Sequence, residues 1–177
     1  MLKKPIPFRN STSRLAALAV FTVIALALFV AESAIPVPVP IPGVKLGLAN
    51  IVTLLVLQFF TLPEALFVLI VRILLSAIFA GQAISLLYSL AGGLLSLLVM
   101  ALLNRFLLGR FLFLTGIFGA LAHNVGQFCA ACLILGSPWV FTYLPFLMLS
   151  GSITGLFTGL SAHYAVKYLR PHLSRFQ

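Results

Sequence analysis

The sequence predicts an all-α integral membrane protein, a bundle of six transmembrane helices, and three observations support this. Hydrophobic residues make up 62% of the 177 residues and charged residues only 7%, whereas a soluble domain is typically about 45–50% apolar and about 25% charged. The mean hydropathy is +1.21. The basic residues fall into clusters that long uncharged stretches separate. A chain of this composition cannot cover a water-facing surface, so a soluble globular fold is excluded.

Six apolar stretches are candidates for bilayer spans, which need about 17–25 residues each, and the second stretch is the shortest. They cover residues 15–35, 46–60, 63–80, 84–103, 111–135 and 143–166. Because they occupy most of the chain, we expect residues 1–177 to form a single membrane domain.

The distribution of positive charge predicts the orientation of the bundle. The net charge is +9, and three basic clusters precede span one, separate spans four and five, and follow span six: Lys3, Lys4, Arg9 and Arg14; Arg105 and Arg110; Lys167, Arg170 and Arg175. Lys and Arg are enriched on the cytoplasmic side of membrane proteins. We therefore expect both termini in the cytoplasm of a bacterial cell, a multi-pass protein in the cytoplasmic membrane, and no nucleic-acid partner.

The segment between spans one and two is rich in proline, at Pro36, Pro38, Pro40 and Pro42. Proline fixes φ and lacks an N–H, so an extended outer loop is predicted here. Two interpretations remain open: a partly inserted loop that caps a cavity, or an exposed linker.

Arg72 lies near the middle of the third span. An arginine at the bilayer centre costs at least about 2.5–3.5 kcal/mol, so it should face the bundle interior and have a partner. Glu32, one of only two acidic residues in the chain, is a possible ion-pair partner. The alternative is that an anionic or polar ligand completes the charge.

Further polar residues lie in the predicted outer half of the bundle. A pocket that is open to the outside and lined by apolar and a few convergent polar groups is the predicted site for a small ligand. The predicted substrate-binding residues are Lys45, Asn50, Arg72, Tyr88, His123, Asn124 and Gln127.

Two other motifs are better explained by helix packing than by a catalytic or metal site. Gly151, Gly155 and Gly159 share one face of the sixth span, which suits close helix packing. Cys129 and Cys132 have the C-x-x-C spacing, but no second pair completes a four-cysteine site. The sequence predicts no metal site, no cofactor and no catalytic residue.

Several runs together resemble one bacterial family, described as heptaprenyl diphosphate synthase component I or as Gx transporters. They are PIPGVKLGLANIVTL from Pro40, Arg72 in VLIVRILL, LLYSLAGGLLSLLVM from Leu86, HNVGQ from His123 and YLPFLMLSGSITG from Tyr143. The family resembles the six-helix S components of energy-coupling-factor (ECF) transporters. The resemblance implies an S-component-like fold, an outward ligand site, and ATPase and coupling subunits as partners. S components commonly carry an A-x-x-x-A motif on the cytoplasmic half of helix one. In this chain Ala27 and Ala31 have that spacing, but they lie near the outer end of the first span.

The prenyl synthase description predicts a different role. Trans-prenyltransferases hold magnesium diphosphate with Asp-rich motifs, but the two acidic residues of this chain are both Glu. Magnesium needs oxygen ligands, usually carboxylates. The chain alone is therefore not expected to be an enzyme, and in this alternative it is a non-catalytic membrane subunit of a soluble prenyl synthase. A third alternative is a membrane component of a flavin or quinone electron-transfer system, which would involve Cys129 and Cys132.

Overall fold

The computed structural model describes residues 10–34, 47–80, 83–107, 109–136 and 138–173. These residues fold into α-helices and one short 3-10 helix, without a β-strand among them, and the predicted all-α class is confirmed. The α-helices are α1 (Ser11–Ser33), α2 (Asn50–Phe59), α3 (Leu62–Ala80), α4 (Ala83–Phe106), α5 (Leu112–Leu135) and α6 (Leu144–Leu173), and the 3-10 helix is Pro138–Tyr143. The predicted Pro36–Pro42 loop and Lys45 lie outside the described residues.

Five of the described helices, α1 and α3 to α6, are long and apolar enough to cross a membrane. The chain is therefore a multi-pass membrane protein. Helix α2 has only 10 residues, which at 1.5 Å per residue covers about half of a hydrocarbon core of about 30 Å. The predicted count of six full spans is thus not confirmed.

The short helix α2 lies in the centre of the bundle. It contacts all five of the other α-helices, and eight of its ten residues are buried. Its aromatic end packs against α1, where the Phe21 ring lies 6.3 Å from that of Phe59 and 5.8 Å from that of Phe60. An apolar helix of this length that is enclosed by neighbours is a core element.

The outer surface of the bundle is apolar, unlike that of a soluble protein. Large apolar residues on the outside are well exposed, among them Ile78, Phe79 and Leu133. The interior combines an apolar core with buried polar groups such as Glu32 and Arg72. An apolar exterior of this extent would be an association surface in water, but it suits contact with lipid.

Contacts between helix ends place most of the described basic residues at one end of the bundle. At the start of α1, Arg14 pairs with Glu64 in the first turn of α3, with Nε–Oε1 and Nη2–Oε2 distances of 2.6 and 2.8 Å. The last turn of α2 meets the last turn of α4, where Gln58 Nε2 donates to Asn104 Oδ1 at 2.6 Å. Arg110 follows α4 directly, and the end of α6 packs beside it.

Glycines bring α5 and α6 into backbone contact. A Cβ atom at Gly116 would lie 2.5 Å from both the Gly155 carbonyl oxygen and the Gly159 amide nitrogen. A Cβ at Gly159 would lie 2.5 Å from the Phe113 Cα atom. Gly151, one turn earlier on α6, instead faces the Asn124 side chain. Only residues without a side chain allow two helix backbones to approach this closely.

Candidate functional site

A small cavity lies inside the bundle, away from the Arg14–Glu64 pair. Its polar lining comes from α1, α3, α4 and α5, and we call this set the polar cluster: Glu32, Arg72, Ser89, His123 and Gln127. Phe29 and Gly47 complete the described lining. The cavity volume is about 10 Å³, which is about the room that one water molecule needs. In this conformation the site is closed to larger molecules.

Glu32 joins the end of α1 to the chain just before α2. Its Oε1 accepts a hydrogen bond from the Gly47 amide at 2.5 Å, and its Oε2 accepts one from the Leu48 amide at 3.0 Å. The backbone amides that precede and begin a helix lack intrahelical partners, so a carboxylate is favourable here. Gly47 has φ +87°, a conformation that glycine adopts at little cost.

Arg72 projects from the middle of α3 into the same cavity. Its side chain is 4% exposed, and its Nε and Nη2 atoms have no hydrogen-bond partner among the described residues. The negative charge of Glu32 acts on the guanidinium. A buried donor without a partner costs about 1–3 kcal/mol, and more when the group is charged. The arginine thus retains unused capacity to bind an acceptor.

His123 and Gln127 lie one turn apart on α5. The Gln127 Nε2 and His123 Nε2 atoms are 2.9 Å apart. With the Gln127 amide in this orientation its nitrogen donates and the imidazole Nε2 accepts. A Cβ at Gly92 of α4 would lie 2.8 Å from the Nδ1 atom of His123. Because Gly92 has no side chain, the imidazole ring can pack directly against the backbone of α4.

Asn50 begins α2 next to the polar cluster without lining the cavity. A Cβ at Gly47 would lie 2.9 Å from Asn50 Nδ2 and 3.0 Å from His123 Cδ2, so these three residues are neighbours. Both polar atoms of the Asn50 side chain are buried without a hydrogen-bond partner in the described part of the chain. Asn50 adds a second set of unused polar groups to this region.

Two residues of the predicted pocket lie elsewhere. Tyr88 is buried in an apolar cluster with Phe128 and Leu147, between α4, α5 and α6. Asn124 Nδ2 donates to the Leu147 carbonyl oxygen at 2.5 Å and so links α5 to α6. These two side chains do not line the cavity that Arg72, His123 and Gln127 share, because they project from other faces of their helices. Lys45 lies outside the described residues.

Gly47 and Ser89 line the cavity but are absent from the predicted set. Ser89 is next to Tyr88 in the sequence, and it is Ser89 rather than Tyr88 that faces Arg72 and His123. The helical register places these two neighbours on different faces of α4, but it does not say which face turns to the cavity. Nothing in the sequence marks Gly47 as a lining residue, because its role depends on a positive φ and on the carboxylate of Glu32.

The model of the family described as heptaprenyl diphosphate synthase component I matches residues 21–165. The chain belongs to this family. The matched range contains the entire polar cluster and Asn50, whereas Arg14, Lys167 and Arg170 lie outside it. No curated protein and no solved structure matches the chain.

This member of the heptaprenyl diphosphate synthase component I family has few groups that suit metal chemistry. Among the described residues, no three or more His, Cys, Asp or Glu side chains are grouped to hold an ion. Cys129 is an exposed free thiol and Cys132 a half-buried one. The polar cluster offers a guanidinium, a carboxylate, an imidazole, an amide and a hydroxyl, which are groups that act through hydrogen bonds and charge.

Proposed function

We propose that this protein is an S-component-like membrane protein that binds, for transport, a small anionic or polar ligand at the polar cluster. The unused Nε and Nη2 donors of buried Arg72 carry this proposal. An arginine is placed in a membrane interior at a high cost, and such residues mark substrate pathways. Asn50, His123 and Gln127 would supply directional hydrogen bonds to the ligand.

Binding would require the site to open. The cavity of about 10 Å³ accommodates about one water molecule, whereas small-molecule sites typically enclose about 300–1,000 Å³. The described structure therefore corresponds to a closed form in this proposal. A ligand that enters would separate the helices around the cavity and lie between Arg72, Glu32 and His123.

The proposed orientation has both termini in the cytoplasm of a bacterial cell, with one membrane domain and an outer loop at Pro36–Pro42. It is supported by the gathering of Arg14, Arg110, Lys167 and Arg170 at one end of the helices, because cytoplasmic ends are enriched in Lys and Arg. In this orientation the polar cluster lies toward the outer face.

Thiol labelling in cells tests this orientation. In a background without Cys129 and Cys132, Leu107→Cys should react with a membrane-impermeant maleimide only after the cells are opened. Thr142→Cys, at an exposed position of the 3-10 helix before α6, should react in intact cells. The opposite pattern would place the polar cluster toward the cytoplasm and contradict an outward site.

A second function is favoured by the description of the family. In this alternative the chain is a non-catalytic membrane subunit of a soluble prenyl diphosphate synthase. The chain has two acidic residues, Glu32 and Glu64, and both already bind protein groups. The carboxylates that hold magnesium diphosphate would then belong to the soluble partner.

Native mass spectrometry of the protein, extracted gently from its own membrane, separates the two functions. For the binding protein we expect an added small-molecule mass that Arg72→Met removes, because methionine keeps an unbranched stem but donates no hydrogen bond. Leu74→Met, an exposed position on the same helix, should retain that mass and is the matched control. A bound soluble protein in all three samples, without the small molecule, would instead favour the synthase subunit.

A further inference from the structure

A second and much larger cleft lies at the opposite end of the bundle from Glu32. It has a volume of about 560 Å³, within the range of about 300–1,000 Å³ that is usual for small-molecule sites. Its lining includes four basic or imidazole side chains, Arg110, His163, Lys167 and Arg170, and the apolar residues Leu112 and Val166. The cleft lies between the turn that precedes α5 and the last turns of α6.

The fold, rather than the sequence alone, brings these charges together. His163, Lys167 and Arg170 recur at spacings of four and three residues, so they share one face of α6. Arg110 comes from the turn between α4 and α5, which is held by a hydrogen bond from the Gly109 amide to the Asn104 carbonyl oxygen at 3.2 Å. Gly109 has φ +64°. The turn before α5 and the last turns of α6 thus place basic side chains in the same cleft.

No acidic side chain balances them in the part of the chain that the structure describes. Both of its acidic residues are elsewhere: Glu64 pairs with Arg14, and Glu32 binds the amides of Gly47 and Leu48. Neither lines the cleft. Arg110, Lys167 and Arg170 can therefore attract an anion from outside the chain.

We propose that this cleft binds the phosphate or diphosphate headgroup of an anionic membrane lipid. Arginine and lysine recognise phosphate through charge-assisted hydrogen bonds, and basic pockets at the cytoplasmic ends of transmembrane helices suit lipid headgroups. Leu112 and Val166 provide an apolar wall for the first carbons of the lipid chain. Tyr164 and Tyr168, which are 57% and 66% exposed on the last turns of α6, suit the boundary between water and lipid.

This inference does not depend on the ligand of the polar cluster, because the two sites share no described residue. The two proposals can therefore fail separately. The Arg72→Met variant should keep lipid binding at the cleft, and a cleft variant should keep any small molecule at the polar cluster.

The test measures binding to the detergent-purified full chain for four probes. They are dioctanoyl phosphatidylglycerol, farnesyl diphosphate, zwitterionic dioctanoyl phosphatidylcholine and inorganic diphosphate. The cleft variants are Lys167→Gln and Arg170→Gln. The matched control is Arg105→Gln, which removes the same charge from an exposed position near the same end of the bundle but outside the cleft lining.

We expect phosphatidylglycerol, farnesyl diphosphate or both to bind more tightly than the phosphatidylcholine and inorganic diphosphate probes. Each cleft variant should weaken that binding about fivefold, since one basic residue near an anionic surface contributes about 1 kcal/mol. The Arg105→Gln control should bind as the wild type does. Thermal unfolding of each variant establishes that it is folded.

Three results would overturn the proposal. Equal weakening by Arg105→Gln would indicate general attraction to a positive surface. Inorganic diphosphate binding as tightly as either lipid would indicate a site for the free anion. The absence of binding by any phosphate-bearing probe would indicate that the charges serve orientation in the membrane alone.

Discussion

The Glu32→Gln variant is expected to lose about 3–5 kcal/mol of the free energy of unfolding. Glu32 and Arg72 are both buried, and removal of the carboxylate leaves the positive charge of Arg72 uncompensated. Glu32 is 2% exposed. Its two oxygens accept hydrogen bonds from the amides of Gly47 and Leu48. Glutamine retains only one acceptor oxygen and points an N–H group at a backbone donor. The change also removes the negative charge that acts on Arg72.

Unfolding by SDS titration in mixed micelles measures this loss. Arg72→Met should be less destabilising than Glu32→Gln, since the carboxylate keeps its two amide partners when the arginine is removed. An Arg72→Met variant that unfolds as easily as Glu32→Gln would show that the arginine is chiefly a structural partner of the carboxylate. It would also contradict the ligand-binding role proposed for Arg72.

The second large effect is expected at the contact between α5 and α6. Gly116→Ala should be less stable than Gly93→Ala by about 1–3 kcal/mol, which is the usual cost of overpacking. A methyl group at Gly116 meets backbone atoms of Gly155 and Gly159 at 2.5 Å, and these cannot move without separating the helices. Both substitutions replace glycine by alanine inside a helix and gain the same helix propensity of about 1 kcal/mol. The difference between their free energies of unfolding therefore reports the cost of the methyl group in its surroundings.

Gly93 is the matched control because its neighbours are flexible. A Cβ at that position meets side-chain methyl groups of Leu69 and Ile73 at 3.1 and 3.3 Å, and these can shift by a few tenths of an ångström. Thermal unfolding in one detergent compares the two variants directly. Equal melting temperatures would contradict a fixed backbone contact between α5 and α6.

The sequence alone determined that the chain is a helical membrane protein. Apolar stretches of bilayer length and few charges are sufficient for this, because each helix satisfies its own backbone hydrogen bonds in lipid. Residue motifs also indicated the family, which the match over residues 21–165 confirmed. Arg72 and Glu32 stood out as candidates for the interior, because charged groups within a membrane face protein rather than lipid.

Tertiary structure alone decided how the second apolar stretch is used. Residues 46–60 are apolar enough to suggest a span, but the helix formed there is only the 10 residues of α2. Its burial by five neighbours depends on packing between distant parts of the chain. Hydropathy measures the preference of a segment for an apolar environment, and it does not distinguish lipid from the interior of a bundle.

The composition of the candidate site was likewise decided by the fold. Residue spacing places His123, Asn124 and Gln127 on one broad side of α5, but packing divides them. His123 and Gln127 face the cavity, whereas Asn124 binds the Leu147 carbonyl oxygen on α6. The basic cleft could not be predicted from residue spacing either, because Arg110 and Arg170 are 60 positions apart in the sequence. Periodicity describes one helix at a time, so which faces meet is determined only when the helices pack.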